Sequence, residues 1–288
     1  MKKAGGRAVL LLAVLLCTAW IGACQNSGAA VTKPVTAAEE RDQIYMMTAL
    51  AVVDQDWQTT SDIDKSRGYN IGSVLVDPSG KVVYWGRNCV NCMRNGTQHG
   101  EVRLMEGYQT GTRTFSLKGY SVYTSLEPCA MCGGMMCQQS VARTVYGQMD
   151  PDFGYGIQRL ALNSTALGPP PNGYLPYPRV LPSVPSTLAF YAAINASYAE
   201  WRKPDPKNLT LTKFLATPIA RALYKAQTNA FLNYSVVFPE NMTAYQQARK
   251  FYTDIPNCPS GTICCDVKET PGMPELPVGQ HTAEPLAK

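Results

Sequence analysis

Between residues 38 and 57 the apolar positions Ile44, Met47, Leu50, Ala51 and Val53 recur at the spacing of one helical face. Two β-rich apolar runs follow, Ile71 to Asp77 and Lys81 to Asn88. Asp77-Pro78-Ser79-Gly80 between them has turn chemistry, so the pair predicts a hairpin. Further on, His99 to Tyr108 predicts a helix, Ser121 to Ser125 a short strand, Cys129 to Gln139 a helix and Thr144 to Gly147 another strand. The order α, β, β, α, β, α, β predicts an α/β fold, a layered sheet covered by helices.

Beyond Tyr155 the texture changes. Gly168 to Pro185 holds seven prolines in eighteen positions, which predicts an irregular connection. Helical patterns return at Ser186 to Trp201, at Thr210 to Asn233 with a break at Pro218, and at Asn241 to Tyr252. From Pro256 the chain is rich in proline and cysteine. The expected organisation is a leader at 1–23, a tether at 24–37, a core at 38–160, a proline-rich connection and helical extension at 161–255, and a tail at 256–288.

The leader changes the charge balance. Lys2, Lys3 and Arg7 precede an apolar run from Ala8 to Ile21, and Gly22-Ala23-Cys24 follows, the layout of a secretory signal. The run is too short for an ordinary membrane span. Ile21-Gly22-Ala23-Cys24 resembles a bacterial lipobox, which implies lipid attachment at Cys24 and a membrane partner reached through that lipid. Gln25 to Ala37 is small and polar and reads as a flexible tether. The expected location is outside the cytoplasm on a bacterial membrane, and by the usual sorting tendency the outer one. Of 26 Lys+Arg and 21 Asp+Glu, removing the three leader cations leaves 23 against 21, a net charge of +2. That leans away from duplex DNA as a partner and leaves a single-stranded nucleic acid open. Apolar residues at 45% and charged ones at 16% exclude wholesale disorder.

The chemistry concentrates in two short segments. His99-Gly100-Glu101 is followed, one helix and one strand later, by Pro128-Cys129-Ala130-Met131-Cys132. One imidazole and two thiolates fill three corners of a tetrahedron around Zn²⁺ and leave the fourth for water, the arrangement of a catalytic rather than a structural zinc. Pro128 suits the start of a helix, and Cys129 beside that helix's positive end favours the thiolate. Glu101 is the expected general acid/base, moving protons from water to ring nitrogen and departing ammonia. A four-cysteine site joining Cys89-x-x-Cys92 to Cys129-x-x-Cys132 would need 36 intervening residues, beyond the roughly 15–20 of a zinc ribbon, and would leave His99 and Glu101 unexplained.

At these residues the chain resembles the cytidine deaminase-like superfamily, in the branch holding cytosine, guanine and tRNA adenosine deaminases. The resemblance covers about residues 40–155. It implies the family's layered sheet, zinc on His99, Cys129 and Cys132, proton transfer by Glu101, substrate contact by Asn88 in Gly86-Arg87-Asn88, and a homo-oligomer. The motifs divide over the base: the Gly of His99-Gly100-Glu101 is that of cytosine deaminase, whereas Leu126-Glu127-Pro128-Cys129 and Asp150-Pro151 look more like the purine-acting members. Residues 156–288 match no pattern of the family.

The remaining cysteines Cys89, Cys92, Cys137, Cys258, Cys264 and Cys265 are even in number in an exported chain, which points to disulfides. A Cys89–Cys92 bridge would shape the pocket rim; buried thiols are the plain alternative. Six Asn-x-Ser/Thr sequons, at Asn95, Asn163, Asn195, Asn208, Asn233 and Asn241, raise a glycosylated secreted protein as a rival. The leading expectation is a zinc-dependent hydrolytic deaminase of a small nucleobase or nucleoside. Its rivals are a deaminase acting on single-stranded nucleic acid and a catalytically silent zinc-binding surface lipoprotein.

Overall fold

A computed structural model describes residues 32–256. The leader, Cys24, most of the tether, and the tail with Cys258, Cys264, Cys265 and His281 lie outside the described residues. The fold is α/β, a mixed five-stranded sheet with helices on both faces. Strand β1 (Gly72–Val76) pairs antiparallel with β2 (Val82–Arg87) and with β3 (Ser121–Thr124); β4 (Arg143–Tyr146) joins β3 in parallel, and β5 (Ser183–Pro185) joins β4 in parallel. The sheet order is β2-β1-β3-β4-β5.

The hairpin forms where the sequence placed it. Asp77 Oδ1 accepts from the backbone N–H groups of Ser79 at 2.9 Å and Lys81 at 3.0 Å, and Gly80 takes φ +83°, a conformation that L side chains resist. Helix α1 (Ala37–Gln55) opens on Thr36, whose side chain accepts from the Glu39 N–H. Two more helices, α2 (Gly100–Thr112) and α3 (Ala130–Gln138), pack on the opposite face, where Leu75, Leu104, Met105, Val122 and Met136 form a core.

The C-terminal extension is helical and covers α1. After the short α4 (Gly156–Leu160), it comprises α5 (Ala189–Arg202), the short α6 (Leu211–Phe214), α7 (Pro218–Leu232) and α8 (Met242–Asp254). Phe190, Ile194, Leu223, Tyr224, Phe231 and Phe251 join the α1 core, so that Ile44, Met46, Met47 and Ala49 to Val53 are all wholly buried. The sequence predicts a single buried face for this helix; it is enclosed all round because sheet and extension press it from both sides. Pro218 is the first residue of α7, capped by Thr217, which is why the periodicity breaks there. β5 lies inside the stretch predicted to be irregular. Proline is tolerated in it because it is the edge strand.

Buried Glu40 ties α1 to the loop before α8. Its carboxylate accepts from the Val237 and Phe238 N–H groups at 2.5 and 3.0 Å, from the Tyr234 hydroxyl at 3.0 Å and from Asn241 Nδ2 at 2.8 Å. Burial alone would raise its pKa, but the four hydrogen bonds together hold it below the usual carboxylate range. Of the sequons, Asn241 is fully buried, and Asn195 bonds the Met149 N–H and the Tyr191 carbonyl, so neither side chain is open to a glycan in the folded chain. Cys92 is disulfide-bonded, while Cys89 and Cys137 are buried thiols; the Cys89–Cys92 bridge is therefore not made. No helix among the described residues is long and apolar enough to cross a membrane.

Candidate metal centre and active site

Two helix N-termini meet beyond the sheet. His99 is the N-cap of α2 and Cys129 the N-cap of α3, and Cys132 stands in the first turn of α3. Each helix presents the positive end of its dipole to this point, which favours thiolates there. The approach of α2 to the sheet depends on Gly86: a Cβ at this position would lie 2.2 Å from the Gly100 carbonyl and 2.8 Å from the Leu104 nitrogen. The glycine of Gly86-Arg87-Asn88 is thus a packing requirement that seats His99.

His99 Nδ1 lies 3.7 Å from Cys129 Sγ and 3.5 Å from Cys132 Sγ, and the two sulfurs are 3.6 Å apart. Zinc bonded tetrahedrally at about 2.3 Å to sulfur and about 2.0 Å to nitrogen requires S···S near 3.8 Å and S···N near 3.5 Å. The triangle therefore has the edges of such a centre, and the three side chains could hold a metal ion. The donor set, one imidazole and two thiols with no fourth protein ligand, suits zinc with an open corner. The Cys129 thiol is pulled down to about 4, chiefly by its hydrogen bond with Cys132 and then by His99, against the opposing effect of burial. His99 is raised by the Cys129 partner, and Cys132 is raised by the Cys129 hydrogen bond and by burial.

Glu101, in the first turn of α2, is buried, with its pKa raised first by desolvation. Thr124, the last residue of β3, donates to Glu101 Oε1 at 3.1 Å, and Oε2 has no hydrogen-bond partner. Asn88 follows β2 and is fully buried. Its Oδ1 accepts from the Tyr69 N–H at 3.1 Å and the Val90 N–H at 3.3 Å, while Nδ2 is unpartnered. Buried Arg67, paired with Asp56 at 2.8 Å, donates to the Asn88 carbonyl and fixes the backbone there.

The structure brings His99, Cys129 and Cys132 together, places Glu101 on the same helix turn as His99, and sets Asn88 on the neighbouring strand end; Cys24 is outside the described residues. Sequence reasoning passed over Thr124, which reads as an ordinary strand residue. It also took Glu127 only as part of a motif. Glu127 accepts from the Asp150 and Tyr155 N–H groups at 3.2 and 3.0 Å and so holds the loop after β4 beside Cys129.

Fold and site define an α/β protein with a three-ligand metal centre and a buried carboxyl beside it. Residues 39–148 match the family described as the cytidine and deoxycytidylate deaminase zinc-binding region. Among similar proteins, the tRNA-specific adenosine deaminase of Bacillus subtilis is 26% identical over 114 residues, 40% of this chain and 66% of the relative. A probable cytosine deaminase of Schizosaccharomyces pombe is 32% identical over 113 residues, 39% of this chain and 63% of the relative. The crystal structure of guanine deaminase from Bacillus subtilis aligns with a TM-score of 0.34 at 22% identity, over 40% of this chain and 72% of that one. The chain thus spans less than two thirds of the length of the curated relatives it matches.

Proposed function

We propose that the protein is a zinc-dependent hydrolytic deaminase of a nucleobase or nucleoside of cytosine, guanine or adenine type. The observation that carries this reading is the metal-sized triangle of His99, Cys129 and Cys132 with the partner-free Oε2 of Glu101 beside it. Bound zinc would supply Lewis acidity and lower the pKa of a water molecule towards neutrality. Everything else falls to the chain's own groups. Glu101 takes a proton from the water and delivers protons to the ring nitrogen and the leaving amine, exchanging C–NH₂ for C=O and releasing ammonia. Asn88, with its oxygen occupied by two N–H groups, turns Nδ2 to an acceptor on the base. The leader pattern of residues 1–24 supports an exported, lipid-anchored form, and export favours a small substrate over a cytoplasmic RNA.

The test is ammonia release by the zinc-loaded chain against cytosine, guanine, adenine, their nucleosides and a single-stranded oligonucleotide, before and after chelation. Turnover of one small substrate, lost on chelation and restored by Zn²⁺, is expected. Base change only in the oligonucleotide would instead establish the nucleic-acid rival, and a zinc-loaded chain inert to the whole panel would refute the reading.

Thr124 positions Glu101. Thr124→Val keeps the side chain's shape and removes the hydrogen bond, an interaction of about 1 kcal/mol. The expected result is a kcat about 5-fold lower with KM little changed, and recovery in Thr124→Ser. Equal kinetics in the valine variant would show that packing alone holds the carboxyl.

A further inference from the structure

Gln148 is the one described residue whose side-chain amide is buried with both Oε1 and Nε2 lacking any hydrogen-bond partner. Such a group costs stability, and native proteins keep few of them without a reason. Its placement supplies one. Along β4 and beyond, alternate residues face α1: Arg143 pairs with Asp42, Val145 enters the α1 core, and Gly147 lies against Met46 and Leu50. The two-residue period sends Thr144 and Tyr146 to the other face, and Gln148, two residues past the strand end, follows Gly147, whose open side is the one turned to α1. The face of Thr144 and Tyr146 carries α2 and α3, and on it Thr124, the register partner of Tyr146, reaches Glu101. The Gln148 carbonyl accepts from the Glu127 N–H at 2.8 Å, which sets the residue beside the segment leading into Cys129. Four partner-free buried polar atoms thus belong to residues on the segments that carry or adjoin the three metal-ligand candidates: Gln148 Oε1 and Nε2, Asn88 Nδ2 and Glu101 Oε2.

We propose that Gln148 is a specificity-determining residue that reads the base. This rests on the deaminase reading above. A carboxamide offers an acceptor and a donor side by side, and the edge that answers both is a lactam, an N–H next to a C=O. Free cytosine has such an edge, N1–H beside C2=O, across the ring from the C4 that loses its amine; guanine has one, N1–H beside C6=O, next to the C2 that loses its amine. Adenine, with no carbonyl, does not. The site is therefore built for an oxo-base, with Gln148 on the lactam edge and Asn88 Nδ2 on a further acceptor. A pocket that hydrogen-bonds a polar edge rejects analogues lacking it more strongly than an apolar pocket does, because its buried groups are left unpaired.

The experiment compares wild type, Gln148→Leu and Glu101→Gln, all zinc-loaded full chains, for ammonia release and for thermal shift with cytosine, guanine and adenine. For Gln148→Leu, kcat/KM on the preferred oxo-base should fall about 30-fold, as expected for two lost neutral hydrogen bonds, and the thermal shift with that base should shrink. Tm without ligand should be unchanged or higher, because the substitution removes two unpartnered buried atoms. A merely structural glutamine predicts the reverse, a lower Tm with kinetics per folded molecule unchanged, and that result overturns the inference. Adenine preferred by wild type would also overturn it while leaving the deaminase reading intact. Wild type that neither turns over nor binds any of the bases would remove the deaminase reading and this inference together.

Discussion

Replacing Glu101 with glutamine is expected to lower turnover by about 10³-fold while the chain keeps its zinc and its stability. The shape of the side chain is retained, and the Thr124 hydroxyl can still donate to the remaining oxygen. What disappears is the ability to take up and return a proton, a contribution of roughly 10²–10⁴ in rate for a positioned acid/base. Burial already raises the carboxyl's pKa, so the neutral amide removes a desolvation cost and Tm should hold or rise. Steady-state ammonia release, metal content per chain and a melting curve together check this. Retained turnover, or loss of zinc along with it, would show that Glu101 acts in some way other than as a proton carrier.

The largest stability effect is expected at Glu40, far from the chemistry. Four donors converge on its carboxylate, two of them backbone N–H groups with no alternative partner in the fold. Glu40→Gln turns an N–H₂ group against donors and leaves one or two of them unsatisfied, at about 3 kcal/mol in total. For a chain of this size Tm should fall by roughly 6–12 °C. The pH dependence follows from the lowered pKa. Its stabilisation is fully present above the ordinary glutamate value of about 4.3 and is lost as pH falls through the lower folded-state value. Wild type should therefore lose this contribution only in acid, and the two proteins should converge there. A constant difference in stability from neutral to strongly acid pH, followed by denaturant titration, would show that the carboxylate's charge is not what the four donors hold.

The metal-sized triangle was legible in the sequence because its information is local: a ligand before each of two helices and a second cysteine one turn on. The hairpin was legible for the same reason, through its Asp-Pro-Ser-Gly turn. What escaped is non-local. β5 looks like a proline-rich connection until β4 is there to accept it. Val52 and Ala49 are ordinary helical residues until α7 and α8 close over them. Thr124 follows the strand pattern and Gln148 lies just past a strand end; only a reach across to Glu101, or burial without a partner, marks them out, and neither is written in spacing.

The enclosure of α1 also bears on how the chain matures. All the residues of the metal triangle have been synthesised by Cys132, yet the helix beneath the sheet gains its outer cover only from segments ending at Asp254. A nascent chain that already carries all three of these residues still exposes the apolar outer side of that helix. The part that resembles other proteins thus leaves this helix uncovered by itself: more than a hundred further residues must be made before its core is dry.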